Sequence, residues 1–209
     1  MDEIYYQLKP KVMDLKDKTI GIHGINGSFT DEALGKIMHN LNIAKSHYSV
    51  KELIHADRVI KNVISKKVDR GIFAIANSGS GGYVESLKAM AAHELKLIGV
   101  LQMPLKMCIL SQPNIKCVEE ITEFQGHPVA IAQCHKTLAQ KWPNIPVSPG
   151  TDKLDTALSA KYLAEGKLSP TTGVFASERA ADIFGLKVLQ YGVNHDPNNA
   201  TFFCIVKKA

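Results

Sequence analysis

Gly71-Ile-Phe-Ala-Ile-Ala-Asn-Ser-Gly-Ser-Gly-Gly-Tyr-Val-Glu-Ser-Leu87 is the stretch that decides the fold. Its first six residues, Gly71 to Ala76, form an apolar run with β-branched and aromatic members. The run is too short for a helix and has no period-two polarity, so it predicts a strand buried on both faces in mid-sheet. Asn77 to Gly82 then combines hydrogen-bonding side chains with glycines able to take positive φ, and apolar residues at Val84, Leu87, Met90 and Ala91 predict a helix. A polar, glycine-rich turn from the carboxyl end of a buried strand into a helix N-terminus is where open α/β sheets hold anions. The competing reading is a flexible surface loop.

The chain has 209 residues, 45% of them hydrophobic and 22% charged, which suffices for one large or two small cores. Its net charge is +5, but the lysines are scattered apart from Lys61, Lys66 and Lys67, and the arginines are only Arg58, Arg70 and Arg179. Without interleaved aromatics this pattern argues against nucleic acid and for a mild attraction to acidic small molecules. Cys108, Cys117, Cys134 and Cys204 form no C-x-x-C pair, and the N-terminus has no basic segment leading into an apolar one. No stretch reaches the roughly 18 apolar residues that span a bilayer. A reducing cytoplasm, free thiols and no membrane partner are the expectations.

In chain order, residues 1–18 carry Ile4, Leu8, Val12 and Leu15 at helical spacing, interrupted by Pro10, and read as an appended arm without chemistry. Thr19 to Ile22 is the first strand. Gly24-Ile-Asn-Gly27 and Ser28-Phe-Thr30 follow, with Thr30 as the expected N-cap of a helix whose buried face is Ala33, Leu34, Ile37, Met38 and Leu41. A helix over about 51–68 leads into the central strand, in the β-α-β-α-β order of a parallel sheet. Strands are predicted over 96–102, 106–111, 172–176, 186–190 and 201–207. Helices are predicted from Pro128 through Lys141, from Leu154 to Glu165, and from an N-cap at Ser177 to Phe184 with Gly185 at C′. So many β-α units imply α/β architecture in two similar lobes around a ligand cleft.

The chain resembles the catalytic domain of prephenate dehydratase from about Thr19 to Lys207. Five segments carry the resemblance in order. They are Gly24-Ile-Asn-Gly-Ser-Phe-Thr30, Ala74-Ile-Ala-Asn-Ser-Gly-Ser-Gly81, Gly126-His-Pro-Val-Ala-Ile-Ala-Gln-Cys134, Asp155-Thr-Ala-Leu-Ser-Ala-Lys161 and Asn199-Ala-Thr-Phe-Phe203. The resemblance implies two lobes of the type II periplasmic-binding-protein kind, with residues 19–81 and 188–209 in one and 82–187 in the other. It also implies a cytoplasmic lyase of phenylalanine biosynthesis that converts prephenate to phenylpyruvate with loss of water and CO2. The ligand would be a small cyclohexadiene or aromatic keto acid, no cofactor or metal would be needed, and the chain would form a homodimer.

Carried over position by position, Thr201 becomes the donor or acid to the leaving hydroxyl. Asn77, Ser78, Ser28, Thr30, Thr156, His127, Phe202 and Phe203 become substrate-binding positions. The departures are Phe202 for the family's arginine, Ala76 for a glutamate, Ile25 for a proline, Gly126 for a serine and Met107 for a histidine. They make the site more apolar and less cationic, leaving Lys106 or Arg179 as replacement cations. Two other readings follow: a non-aromatising prephenate decarboxylase, and a non-catalytic binding protein for a less charged acid.

Plainer readings stand beside these. Thr201 can be an ordinary strand threonine, His127 a capping residue before Pro128, and Ser28 and Thr30 caps of the first helix. Asp155 reads as an N-cap. Cys134 and His135 are adjacent on a helix and point apart, so with His127 they make no convincing metal site.

Overall fold

The computed structural model describes Tyr5–Tyr6, residues 14–150 and residues 155–209. The helical spacing expected at Ile4, Leu8 and Val12, and the expected helix start at Leu154, lie outside them. In order, the elements are β1 (Tyr5–Tyr6), β2 (Lys18–Ile22), α1 (Phe29–Asn40), β3 (Tyr48–Glu52), α2 (Ala56–Ile64), β4 (Arg70–Asn77), β5 (Gly81–Gly82), α3 (Val84–Ala91) and β6 (Leu95–Pro104). Then come β7 (Cys108–Ser111), β8 (Glu123–Gly126), α4 (Pro128–Lys141), β9 (Val147–Pro149), α5 (Thr156–Ala164), β10 (Thr172–Ala176), α6 (Glu178–Phe184), β11 (Lys187–Gln190) and β12 (Ala200–Lys208).

The chain divides into two compact units. Unit 1 holds residues 1–25, 30–104 and 200–209, and unit 2 holds residues 26–29 and 105–199. The sheet of unit 1 runs β1-β6-β12-β4-β2-β3, with β5 added to β4. The quoted stretch supplies β4, which lies between parallel β2 and antiparallel β12 and is buried from Arg70 through Ala74. The sheet is therefore mixed rather than parallel, because the last strand returns beside β4 in the opposite direction. A Cβ at Gly71 would meet Val59 at 2.6 Å and Val63 at 3.0 Å, so glycine lets α2 lie close on the strand. Val59, Ile60, Val63, Phe73, Cys204 and Val206 form the core on this face.

The sheet of unit 2 runs β11-β7-β10-β8-β9. β7 and β10 are buried throughout, and their side chains alternate between two clusters. Ile109 and Phe175 join Ala130, Cys134 and Leu138 of α4, whereas Cys108, Leu110, Val174 and Ala176 join residues of α5 and α6. Helices on both faces explain why these strands are continuous apolar runs.

Several expectations are corrected. The span 51–68 is not one helix: β3 pairs in parallel with β2 over Tyr48–Glu52, and α2 follows. This edge strand is half polar, so periodicity concealed it. α1 begins at Phe29, so Thr30 sits inside the first turn rather than at the N-cap. On α3, Val84 and Leu87 are 57% and 43% exposed, and Ser86 is the buried residue. Of the expected apolar positions Met90 packs against the core, joined by Ala89. The unit boundaries also fall at 104/105 and 199/200 instead of 81/82 and 187/188. β6 pairs with β12 from Ala200↔Pro104 to Lys208↔Leu95, which keeps α3 and β6 in unit 1, while β11 pairs with β7 in unit 2.

Candidate active site

In unit 1 the carboxyl end of β4 meets the start of β12, with Thr201 paired to Asn77. Asn77 folds the turn after the strand around its own side chain. Its Oδ1 accepts from Gly79 N at 2.9 Å and Ser80 N at 3.2 Å, and its Nδ2 donates to Thr201 Oγ1 at 3.0 Å. The two backbone donors define which end of the amide is oxygen, so the hydrogen bond to Thr201 has a fixed direction. Thr201 accepts. Its own hydroxyl proton has no acceptor among the described residues. Both side chains are buried. Ser78 ties the same corner twice, donating from its backbone N to Ala200 O at 2.8 Å and accepting at Oγ from Ala200 N at 3.0 Å.

This geometry changes the reading of the glycine-rich turn. The N–H groups of Gly79 and Ser80 orient Asn77 and that of Ser78 ties the turn to Ala200, so all three are engaged within the fold rather than cradling an anion.

Strand alternation separates the two phenylalanines that follow Thr201. β12 keeps an unbroken register with β6 from Ala200 to Ile205, with Thr201 and Phe203 opposite the buried Met103 and Leu101. Phe203 therefore shares the face of Thr201 and is packed in the core, only 1% exposed. Phe202 lies on the other face, with Cys204 and the α2 cluster. An arginine in its place would start from the face opposite the Thr201 hydroxyl.

The remaining candidate positions, Thr30 apart, belong to unit 2. Residues 26–29 dock onto α6: Ser177 Oγ donates to Gly27 O at 2.9 Å and accepts from Ala180 N at 3.1 Å. Gly27 has φ +87°, and a Cβ there would lie 3.3 Å from Ala180 Cα, so the contact needs glycine. Ser28 is buried beside it, and Phe29 packs on the α4 cluster. Thr30, the first residue back in unit 1, is buried in α1. His127 caps α4, its Nδ1 accepting from Val129 N at 3.2 Å. Asp155 caps α5 by accepting from Leu158 N at 2.7 Å, which leaves Thr156 half-buried at the first helical position. Lys106 and Arg179 are exposed.

One pairing escaped the sequence reading. Asn199 Nδ2 donates to Gln133 Oε1 at 3.3 Å, and both residues are buried. They stand in two of the motif segments quoted above, 66 residues apart, and that shared membership was the available signal. Burial pushes the Cys134 thiol up to about 12, aided by Cys108, so no ready nucleophile is present there. Among the described residues no group of three or more His, Cys, Asp or Glu is placed to hold a metal ion.

A family model described as prephenate dehydratase matches residues 20–209. Arogenate dehydratase 1 of Petunia hybrida is 29% identical over 202 residues, covering 96% of this chain and 45% of its own length. The chain thus spans less than half of that relative. The structure of prephenate dehydratase from Arthrobacter aurescens, solved in complex with L-Phe, matches with a TM-score of 0.77 at 24% identity, over 91% of this chain and 60% of that one. The ligand-binding component of an ABC-type import system from Staphylococcus aureus matches with a TM-score of 0.51 at 14% identity, over 90% and 65%. The structural matches place the two-unit α/β fold among prephenate dehydratases and solute-binding proteins.

Proposed function

Because the chain belongs to the prephenate dehydratase family, we propose that it is a lyase of aromatic amino-acid biosynthesis acting on prephenate, or on arogenate as the names of its relatives suggest. The observation that carries the reading is the directed hydrogen bond from Asn77 Nδ2 to Thr201 Oγ1. It occupies an acceptor site on the threonine oxygen and leaves the O–H to point at a bound molecule.

The reaction needs that donor. The ring C–O bond breaks as its oxygen takes a proton and leaves as water, the bond from the ring to its carboxylate breaks to release CO2, and the freed electron pair completes the aromatic ring. Aromatisation supplies the driving force. The protein has to orient the ring and stabilise the departing oxygen, a task for a preorganised donor with little freedom to turn. Gly79 and Ser80 N–H hold Asn77, Asn77 holds Thr201, and the chain of hydrogen bonds polarises the last hydroxyl.

Mixing the protein with prephenate and following ultraviolet absorbance tests the proposal. Phenylpyruvate is the expected product. A retained non-aromatic diene would mark a decarboxylase instead, and thermal stabilisation without turnover a binding protein. A reducing cytoplasm and a homodimer belong to the same proposal. The free thiols Cys117, Cys134 and Cys204 support the first, and light scattering counts the chains.

A further inference from the structure

Helix α3 turns an apolar stripe outward. Ser86 is buried and Ala89 and Met90 pack against the α2 core, which on a helical period leaves Val84, Leu87 and Ala91 together on the opposite side. All three are exposed. Leu97 of β6 adds to them. It pairs with Val206, whose side chain belongs to the α2 cluster, so Leu97 lies on the sheet face that carries α2 and α3, yet it is 45% exposed. Of the six large hydrophobic side chains exposed among the described residues, Val84, Leu87 and Leu97 therefore stand on this one face of unit 1. Surface hydrophobics scattered singly are ordinary, whereas a group of them on one face marks a contact surface.

Charges on the flank of the stripe select a second copy of the chain as the occupant. Glu85 and Lys88 lie one turn apart along the same flank, 3.9 Å from each other and 93% and 72% exposed. At that exposure their pairing adds little to the helix itself. Two copies of α3 packed antiparallel about a two-fold axis bring the same flank of each together, so Glu85 of each copy meets Lys88 of the partner subunit. An unrelated surface would need a matching order of charges, whereas a second copy carries it by identity.

We propose that α3 is the contact through which two copies of this chain associate, with Val84, Leu87 and Ala91 against their counterparts and the Glu85 and Lys88 flank setting the antiparallel direction. This contact deepens the homodimer reading and rests on it.

Sedimentation velocity on the full chain tests the contact. The unaltered chain should sediment as a dimer. Glu85→Lys sets lysine against lysine at both ends of the contact and Lys88→Glu sets glutamate against glutamate, so each variant alone should dissociate about tenfold or more readily. Mixed in equal amounts, the two variants should associate as tightly as the unaltered chain, because each carries the charge that the other lacks. Val84→Asp should also weaken the dimer, and an aspartate in the first turn of a helix does not hinder folding. A dimer whose affinity none of the three substitutions alters, or a mixture that associates no better than its components, overturns this contact and leaves the homodimer standing. A chain that stays monomeric at every concentration overturns both, whatever else binds the face. Phenylpyruvate formation is assayed on the same samples, so the lyase reading is judged apart from either.

Discussion

Asn77 and Thr201, 124 residues apart in sequence, share a 3.0 Å hydrogen bond in which the asparagine donates and the threonine accepts. The direction is imposed by the turn, since Gly79 and Ser80 claim the asparagine oxygen. It decides what Thr201 can offer a ligand: a proton rather than a lone pair.

Thr201→Val removes the hydroxyl at nearly constant shape. Turnover of prephenate should drop at least about 100-fold, in the range expected for a lost acid or oxyanion-type donor. Thr201→Ser should retain most of it. Leaving Asn77 Nδ2 unpaired should cost roughly 1–3 kcal/mol in denaturant unfolding. Full activity in Thr201→Val would remove Thr201 from the mechanism.

Asn77→Asp separates the turn from the proton. The carboxylate can still accept from Gly79 and Ser80, but its second oxygen would draw the Thr201 O–H back towards residue 77 and away from a ligand. Activity should fall by about the factor seen for Thr201→Val, with the turn retained and KM less affected than kcat. Unchanged steady-state kinetics would show that hydrogen-bond direction is irrelevant.

Ser177→Ala deletes a cap and a tether together. Ala180 N loses the hydroxyl acceptor but keeps the Ser177 carbonyl at 3.1 Å, and Gly27 O loses the Ser177 hydroxyl, which should destabilise the chain by roughly 1–2 kcal/mol and lower its melting temperature by several degrees. Gly27→Ala should destabilise by a similar amount through its positive φ and the Ala180 contact. Calorimetry on the two variants measures both.

Stability should decline in alkali for a specific reason. Burial raises the Cys134 thiol to about 12 and also raises Cys204, so both stay protonated in the folded chain while the unfolded chain ionises near pH 9. A raised thiol pKa means full stability below the unfolded value and loss as the pH climbs from about 9 towards 12, at about 1.4 kcal/mol per pH unit for each thiol. Cys134→Ala should make the slope of unfolding free energy above pH 9 shallower. An unaltered slope would show that Cys134 ionises as freely in the folded chain as in the unfolded one.

Local signals in the sequence were reliable wherever a few neighbouring residues settle the structure. Pro128 after His127, Asp155 before α5, and Ser177 with Gly185 around α6 each act within about one helical turn, and each stands where the sequence predicts. The uninterrupted apolar runs at β4 and β10 announce burial on both faces for the same reason, since a strand records its surroundings in its own side chains. β8 and β9 left no such record. β8 gains its place by pairing with β10, some fifty residues on, and β9 by pairing with β8.

By itself, then, the sequence determined the α/β class, the ends of α4 and α6 and the family motifs, because these depend on nearest neighbours and residue type. Tertiary structure alone decided which strands return to unit 1, that Phe202 faces away from Thr201, that Ser86 rather than Val84 is buried, and which way the Asn77 amide points. Those outcomes depend on register and on partners distant in the chain, and a one-residue change of register reverses every face.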